Sequence, residues 1–160
     1  MAAAGVSKLG RVLPIFVPKG ERLNGPSRKT LFGQQCLPQM STMSHMAGHK
    51  EVPPPQQDNA PCHKTQEVLA PIKRRAKRVF PEWPPCSPDL SVLDFFYWSE
   101  IKRHMGEANE PAENEADRCT AVCLAAAEIK QGAINKAIDN FLVRCEKCGE
   151  AGGARFEHKL

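Results

Sequence analysis

Short apolar runs alternate with long polar stretches along the chain, and the spacing within each run predicts an element. Val12-Leu13-Pro14-Ile15-Phe16-Val17 is rich in β-forming residues and bounded by Gly10 and Gly20, which predicts a strand. Residues 27–40 predict a short helix behind Ser27. Residues 40–50 scatter Met40, Met43 and Met46 among Ser, Thr, His and Gly with no useful period, and predict a loop. Lys64 to Arg78 predicts a helix capped by Asn59 and broken at Pro71. Val79-Phe80 before Pro81 predicts a further short strand. A helix then starts at Asp89 or Ser91, with Phe95, Trp98, Ile101 and Met105 recurring at helical spacing as its core face, and Asp94 one residue before that face. Gly106 to Asp117 is acidic and lacks large apolar side chains, which predicts a linker or exposed loop. From Arg118 the pattern turns helical: Cys119, Val122, Ala126 and Ile129 share a face, Gly132 breaks it, and a second helix carries Ile134, Ala137, Ile138, Phe141, Leu142 and Cys145.

One stretch conflicts with a sheet. In Glu51-Val52-Pro53-Pro54-Pro55-Gln56-Gln57-Asp58, three successive prolines have no N–H to give a ladder, and they predict polyproline II geometry in place of a buried strand.

Composition narrows the class. At 160 residues with 41% apolar content, the chain amounts to one domain able to bury a core. No apolar run approaches the roughly 20 residues needed to span a bilayer, so no membrane association is expected. The N-terminus lacks an apolar core followed by a small-residue cleavage site, which argues against a secretory signal. The net charge of +4 is uneven: residues 1–50 carry seven Lys/Arg against Glu21 alone, whereas residues 106–160 carry seven against ten acids. A basic front half suits a phosphate backbone, because neutralised phosphates release counterions, although so modest a charge is also common in proteins that never meet nucleic acid. The cluster Lys73-Arg74-Arg75-Ala76-Lys77-Arg78 reads as a nuclear-import signal or a phosphate contact, and equally as a solvated helix end with favourable charge at its C-terminus.

Two motifs carry the chemistry. The first is Gln57-Asp58-Asn59-Ala60-Pro61-Cys62-His63. The second is Glu82-Trp83-Pro84-Pro85-Cys86-Ser87-Pro88-Asp89-Leu90-Ser91-Val92-Leu93-Asp94-Phe95-Phe96. Carboxylates that converge from a strand end and a later helix hold Mg²⁺ or Mn²⁺, hard cations that favour oxygen, and two such ions about 4 Å apart clamp both oxygens of a phosphodiester displacement.

Together these residues resemble the mariner-type DNA transposases, a DDE/D family whose catalytic domain has a ribonuclease-H-like fold. Gly5-Val6-Ser7-Lys8-Leu9-Gly10, Pro14-Ile15-Phe16-Val17-Pro18-Lys19-Gly20 and Leu23-Asn24 resemble the family's strand-turn-strand before its first helix. Cys148-Gly149-Glu150-Ala151-Gly152-Gly153 with Phe156-Glu157-His158 resembles its C-terminal end. The match is poor at roughly 36–55. The resemblance implies that Asp58 and Asp94 are the second and third metal-binding positions, that Asp89 lies in a fixed turn and is no ligand, and that His63 stands beside the site. The family's first catalytic Asp lies on a strand upstream of the Gly5-Val6-Ser7 segment, and here no Asp precedes Asp58.

The expected fold is therefore α/β: an incomplete ribonuclease-H-like domain, its first catalytic strand missing, with a helical C-terminal end. Residues 1–105 form the partial catalytic domain, 106–117 an acidic linker and 118–160 the helical part. The implied ancestral activity is metal-dependent DNA cleavage and strand transfer, with Mg²⁺ or Mn²⁺ as cofactor. For this chain the expectation is lost cutting activity, residual nucleic-acid affinity through His63, Lys73, Arg74, Arg75, Lys77 and Arg78, DNA or a full-length transposase as partner, and the nucleus as compartment.

Two rivals come from the cysteines. Cys119, Cys123, Cys145 and Cys148 have tolerable spacing for a structural zinc site in a small interaction module, though Cys119 and Cys123 at i, i+4 equally occupy one apolar helix face. Cys62 beside His63 suggests a thiol–imidazole nucleophile, but no third group is at hand to orient it.

Overall fold

Residues 2–7 and 10–16 begin the structure as two strands, β1 (Ala2–Ser7) and β2 (Gly10–Phe16), which pair as an antiparallel hairpin. The computed structural model describes residues 2–20, 30–58, 60–76, 83–108 and 112–159. The expected cap Asn59, the strand at 79–80, Lys77 and Arg78 lie outside the described residues. The chain divides into two compact units, one of Met1–Gly5 with Ile15–Cys86, the other of Val6–Pro14 with Ser87–Leu160.

In the first unit, a π-helical turn at Phe32–Cys36 leads into α1 (Leu37–Met46). The loop expected over residues 40–50 is thus helical as far as Met46. Its core stripe runs from Leu37 to Ser44, both fully buried, and Ser44 replaces the apolar residue a period search needs. Its hydroxyl donates to the Glu51 carbonyl at 2.7 Å, which makes burial of a polar side chain tolerable. Residues 52–58 then run without a ladder, as the three prolines dictate. A single 3₁₀ turn, Pro61–His63, precedes α2 (Gln66–Ala76). Pro71 does not break α2, contrary to the sequence expectation. A proline inside a helix costs about 3 kcal/mol, and burial of Val68, Ile72 and Ala76 along one side offsets it.

In the second unit, the hairpin tip turns at Lys8-Leu9. The Ser7 hydroxyl donates to the Gly10 carbonyl and accepts from Leu9 N–H, both at 3.1 Å, and Gly10 takes φ +145°, open to glycine alone at little cost. A 3₁₀ turn at Pro88–Leu90 and a π turn at Leu93–Tyr97 lead into α3 (Trp98–Ala108). The expected core face of Phe95, Trp98, Ile101 and Met105 is corrected here. Only Ile101 of the four is buried, and Tyr97 is buried with it. The π turn inserts extra backbone before α3 and so rotates the buried stripe away from the register that a uniform 3.6-residue period extrapolates.

The helix α4 (Glu115–Glu128) starts three residues before the expected Arg118, because the Asn114 side chain accepts from Asp117 N–H at 2.9 Å and acids fill the first turn. The break to α5 (Gln131–Glu150) falls at Ile129 and Lys130, both extended, rather than at Gly132, which sits in the first turn of α5. Ile134 and Ala137 are the buried residues of α5, whereas Leu142 of the expected apolar face is exposed. α5 ends in a Schellman arrangement: Gly153 N–H bonds the Cys148 carbonyl, Gly152 N–H bonds the Gly149 carbonyl, and Gly152 has φ +61°.

The hairpin tip is tied to these helices by polar contacts. Arg11 caps the C-terminal end of α4, donating to the Ala126 carbonyl at 2.5 Å and the Ala127 carbonyl at 3.2 Å, where the helix dipole favours a cation. Gln131 donates to the Ser7 carbonyl at 2.9 Å, and Cys123 to the Pro14 carbonyl at 3.5 Å.

Candidate nucleic-acid interface

Asp58 is exposed and ends the unpaired Pro53–Gln57 segment. Its Oδ1 accepts from Ala60 N–H at 3.1 Å, closing an Asx turn that starts the Pro61–His63 turn. His63 Nδ1 lies 2.5 Å from the same Oδ1 and 3.1 Å from the Asp58 carbonyl. Both neighbours are acceptors, so Nδ1 carries the proton. The structure thus brings together Asp58 and His63, two residues of one sequence motif. Burial leaves the His63 side chain only 12% exposed, while that of Asp58 is 65% exposed.

Asp94 lies in the π turn before α3, exposed, with its N–H bonded to the Ser91 carbonyl at 2.9 Å. Its neighbour Asp89 lies in the Pro88–Leu90 turn, in the place the resemblance gives it. The sequence alone does not reveal what fixes that turn. Arg144 of α5 donates to the Asp89 carbonyl at 2.8 Å, and its guanidinium lies 3.9 Å from the centre of the Phe95 ring. One arginine therefore touches the chain on both sides of Asp94, at the Asp89 backbone and at the Phe95 ring. Its only signal in the sequence is a cation set among the apolar positions of α5.

The donor set does not match a divalent cation. Asp58 Oδ1 already serves an amide and an imidazole, and among the described residues no group of three or more His, Cys, Asp or Glu side chains gathers as a cation requires. The same holds for zinc: Cys119 and Cys123 lie on α4 and Cys145 and Cys148 on α5 without forming such a group. Burial pushes the thiols of Cys123 and Cys145 up from their ordinary value.

The basic cluster falls where the helix can use it. Lys73, Arg74 and Arg75 occupy the last turn of α2, all exposed. Beside them a shallow groove of about 310 Å³ is lined by Thr30, Gly33, Gln34, Pro71, Arg74 and Arg75. Only the two arginines were legible as candidates, because Thr30, Gly33 and Gln34 of the other wall lie in a segment read only as a short helix, with no charge to mark it.

These elements compose an α/β fold of ribonuclease-H type, represented in part, with a two-stranded sheet among the described residues and helices making up the C-terminal half. No protein-family model and no curated protein matches the chain. Solved structures do. The catalytic domain of Mos1 mariner transposase superposes with a TM-score of 0.77 at 18% identity, covering 95% of this chain and 73% of that one. The same domain with raltegravir and Mn gives 0.78 at 19% identity, covering 95% and 74%. The Mos1 paired-end complex with the left transposon end gives 0.69 at 20% identity, covering 94% and 42%. The chain has the fold of the mariner transposase catalytic domain.

Proposed function

We propose that the chain is a mariner-type transposase piece that binds nucleic acid in the nucleus and does not cut it. The observation that carries this reading is the coincidence of fold and motif. A chain matched over 95% of its length to a transposase catalytic domain also bears, in order, Gln57-Asp58-Asn59-Ala60-Pro61 and Trp83-Pro84-Pro85-Cys86-Ser87-Pro88-Asp89-Leu90 with Asp94 beyond. The exposed cations Lys73, Arg74 and Arg75 supply phosphate contacts, and Lys77 and Arg78 extend the same run in sequence. The pairing of Asp58 with His63 supports the non-catalytic half of the reading, because it occupies a carboxylate oxygen that cation chemistry would need.

The test is fluorescence anisotropy of a labelled duplex with the purified chain across a salt series, alongside a supercoiled-plasmid nicking assay with Mg²⁺ and with Mn²⁺. If about three phosphates are neutralised, raising salt fourfold weakens binding by about 40-fold. Binding survives Asp58→Asn, and the plasmid stays intact. Absence of duplex binding at low salt overturns the nucleic-acid reading. Metal-dependent nicking that disappears in Asp94→Ala overturns the non-catalytic reading.

A further inference from the structure

The groove beside α2 is more than a face with cations on it. Two of its lining residues, Arg74 and Arg75, have no carboxylate or other hydrogen-bond partner among the described residues, and the remaining lining residues are Thr30, Gly33, Gln34 and Pro71. No described carboxylate lines it. Three other arginines are engaged, Arg11 with the end of α4, Arg103 with Glu100 and Glu107, and Arg144 with Asp89, whereas Arg118 stands singly on the exposed side of α4. The helix C-terminus accounts for cations at this turn in general. It does not by itself account for two guanidiniums lining one concave surface with no described carboxylate among the lining residues.

We infer that this groove holds one phosphodiester group of a nucleic-acid backbone, gripped by the Arg74 and Arg75 guanidiniums with the Gln34 amide beside them. Guanidinium forks donate to phosphate oxygens in pairs, and Gln34 adds a neutral donor that cannot compete for the cations. Pro71 contributes a wall without an N–H. Gly33 leaves the opposite wall open: a Cβ built there meets nothing within 4 Å. The groove is shallow and half open, so a strand can run on past a phosphate held at its arginines, which favours a polymer backbone over free phosphate. This inference rests on the nucleic-acid reading above and assigns that reading a specific contact.

The experiment compares the wild-type chain, Arg74→Gln/Arg75→Gln, and Arg74→Lys/Arg75→Lys in the same duplex anisotropy assay, and follows the Gly33 amide by NMR on titration with the duplex and with inorganic phosphate. The Gln pair weakens binding at low salt by about tenfold or more. It also reduces the slope of log affinity against log salt by about one. The Lys pair restores the slope but not the full affinity, because it keeps charge without the fork. The Gly33 amide shifts with duplex in the wild type and not in the Gln pair. If the wild type binds duplex and the Gln pair binds with the same slope and affinity, the groove is not the contact and the inference fails while the nucleic-acid reading stands. If the wild type shows no duplex binding but the Gly33 amide moves with inorganic phosphate in an arginine-dependent way, the backbone assignment is overturned in favour of a small-anion site. Neither response in the wild type overturns both.

Discussion

Phe156→Ala lowers the unfolding free energy by about 3–5 kcal/mol, measured by urea denaturation. Phe156 is fully buried although it lies beyond the last long helix, after the Schellman turn that ends α5. That turn redirects the chain at Gly152 and Gly153, so residue 156 is delivered to the interior instead of trailing into water. Truncation to Ala removes most of a large apolar side chain and leaves a cavity, the combination that produces the upper range of single-residue losses. Native domains are stable by about 5–15 kcal/mol, so this variant approaches or passes the unfolding threshold at ordinary temperature. Phe156→Leu, which keeps most of the volume, costs only about 1–1.5 kcal/mol. A loss below about 1 kcal/mol in Phe156→Ala shows that the segment is only loosely attached in solution.

Tyr97 behaves in the opposite way. It is fully buried, and its hydroxyl has no hydrogen-bond partner among the described residues. An unmade hydrogen bond on a buried donor costs about 1–3 kcal/mol, so Tyr97→Phe raises stability by about 1 kcal/mol. Burial pushes the Tyr97 phenol above its ordinary value of 10.0, while Arg11 pulls it down and Cys123 adds to the rise. The folded state therefore holds the proton more tightly than the unfolded state. The stability from this group is fully present below pH 10.0 and is lost as pH rises through the higher folded value. The chain has one tyrosine, so tyrosinate absorbance reports this group alone. Its titration midpoint lies above 10.0, and Tyr97→Phe removes that contribution to alkaline unfolding. A midpoint at or below the ordinary value contradicts the burial, and destabilisation by Tyr97→Phe reveals a partner for the hydroxyl.

Much of the fold was legible because local rules suffice for it. The β-rich run between Gly10 and Gly20 predicted β2, while its partner strand came only from the family resemblance; Pro53, Pro54 and Pro55 argued against a ladder strand, and the pair of C-terminal helices followed from spacing. What escaped detection depended on tertiary or non-standard geometry. A π turn displaced the core stripe from Phe95 and Trp98 to Tyr97, and a buried serine broke the period of α1. Pro71 reads as a helix breaker until the burial of Val68 and Ile72 is known. The candidate site divided in the same way. Asp58 and His63 lie five residues apart and were read from one motif, whereas the grip of Arg144 on the turn at Asp89 spans 55 residues. The groove at Arg74 and Arg75 was invisible in sequence because its second wall, Thr30, Gly33 and Gln34, has no periodicity that marks it.

The hydrogen bond from Arg11 to the Ala126 carbonyl joins residues 115 apart, and it bears on how the chain is made. Contacts of such separation form late, because loop-closure entropy must be overcome before they contribute. On a ribosome adding about 5–20 residues per second, the hairpin tip waits on the order of ten seconds for the end of α4 to emerge. During that interval the hairpin tip lacks the ties to α4 and α5 that Ser7, Arg11 and Pro14 later make. The hairpin tip is therefore open to mispairing with another nascent copy, and a chaperone that shields it for those seconds raises the yield of folded protein.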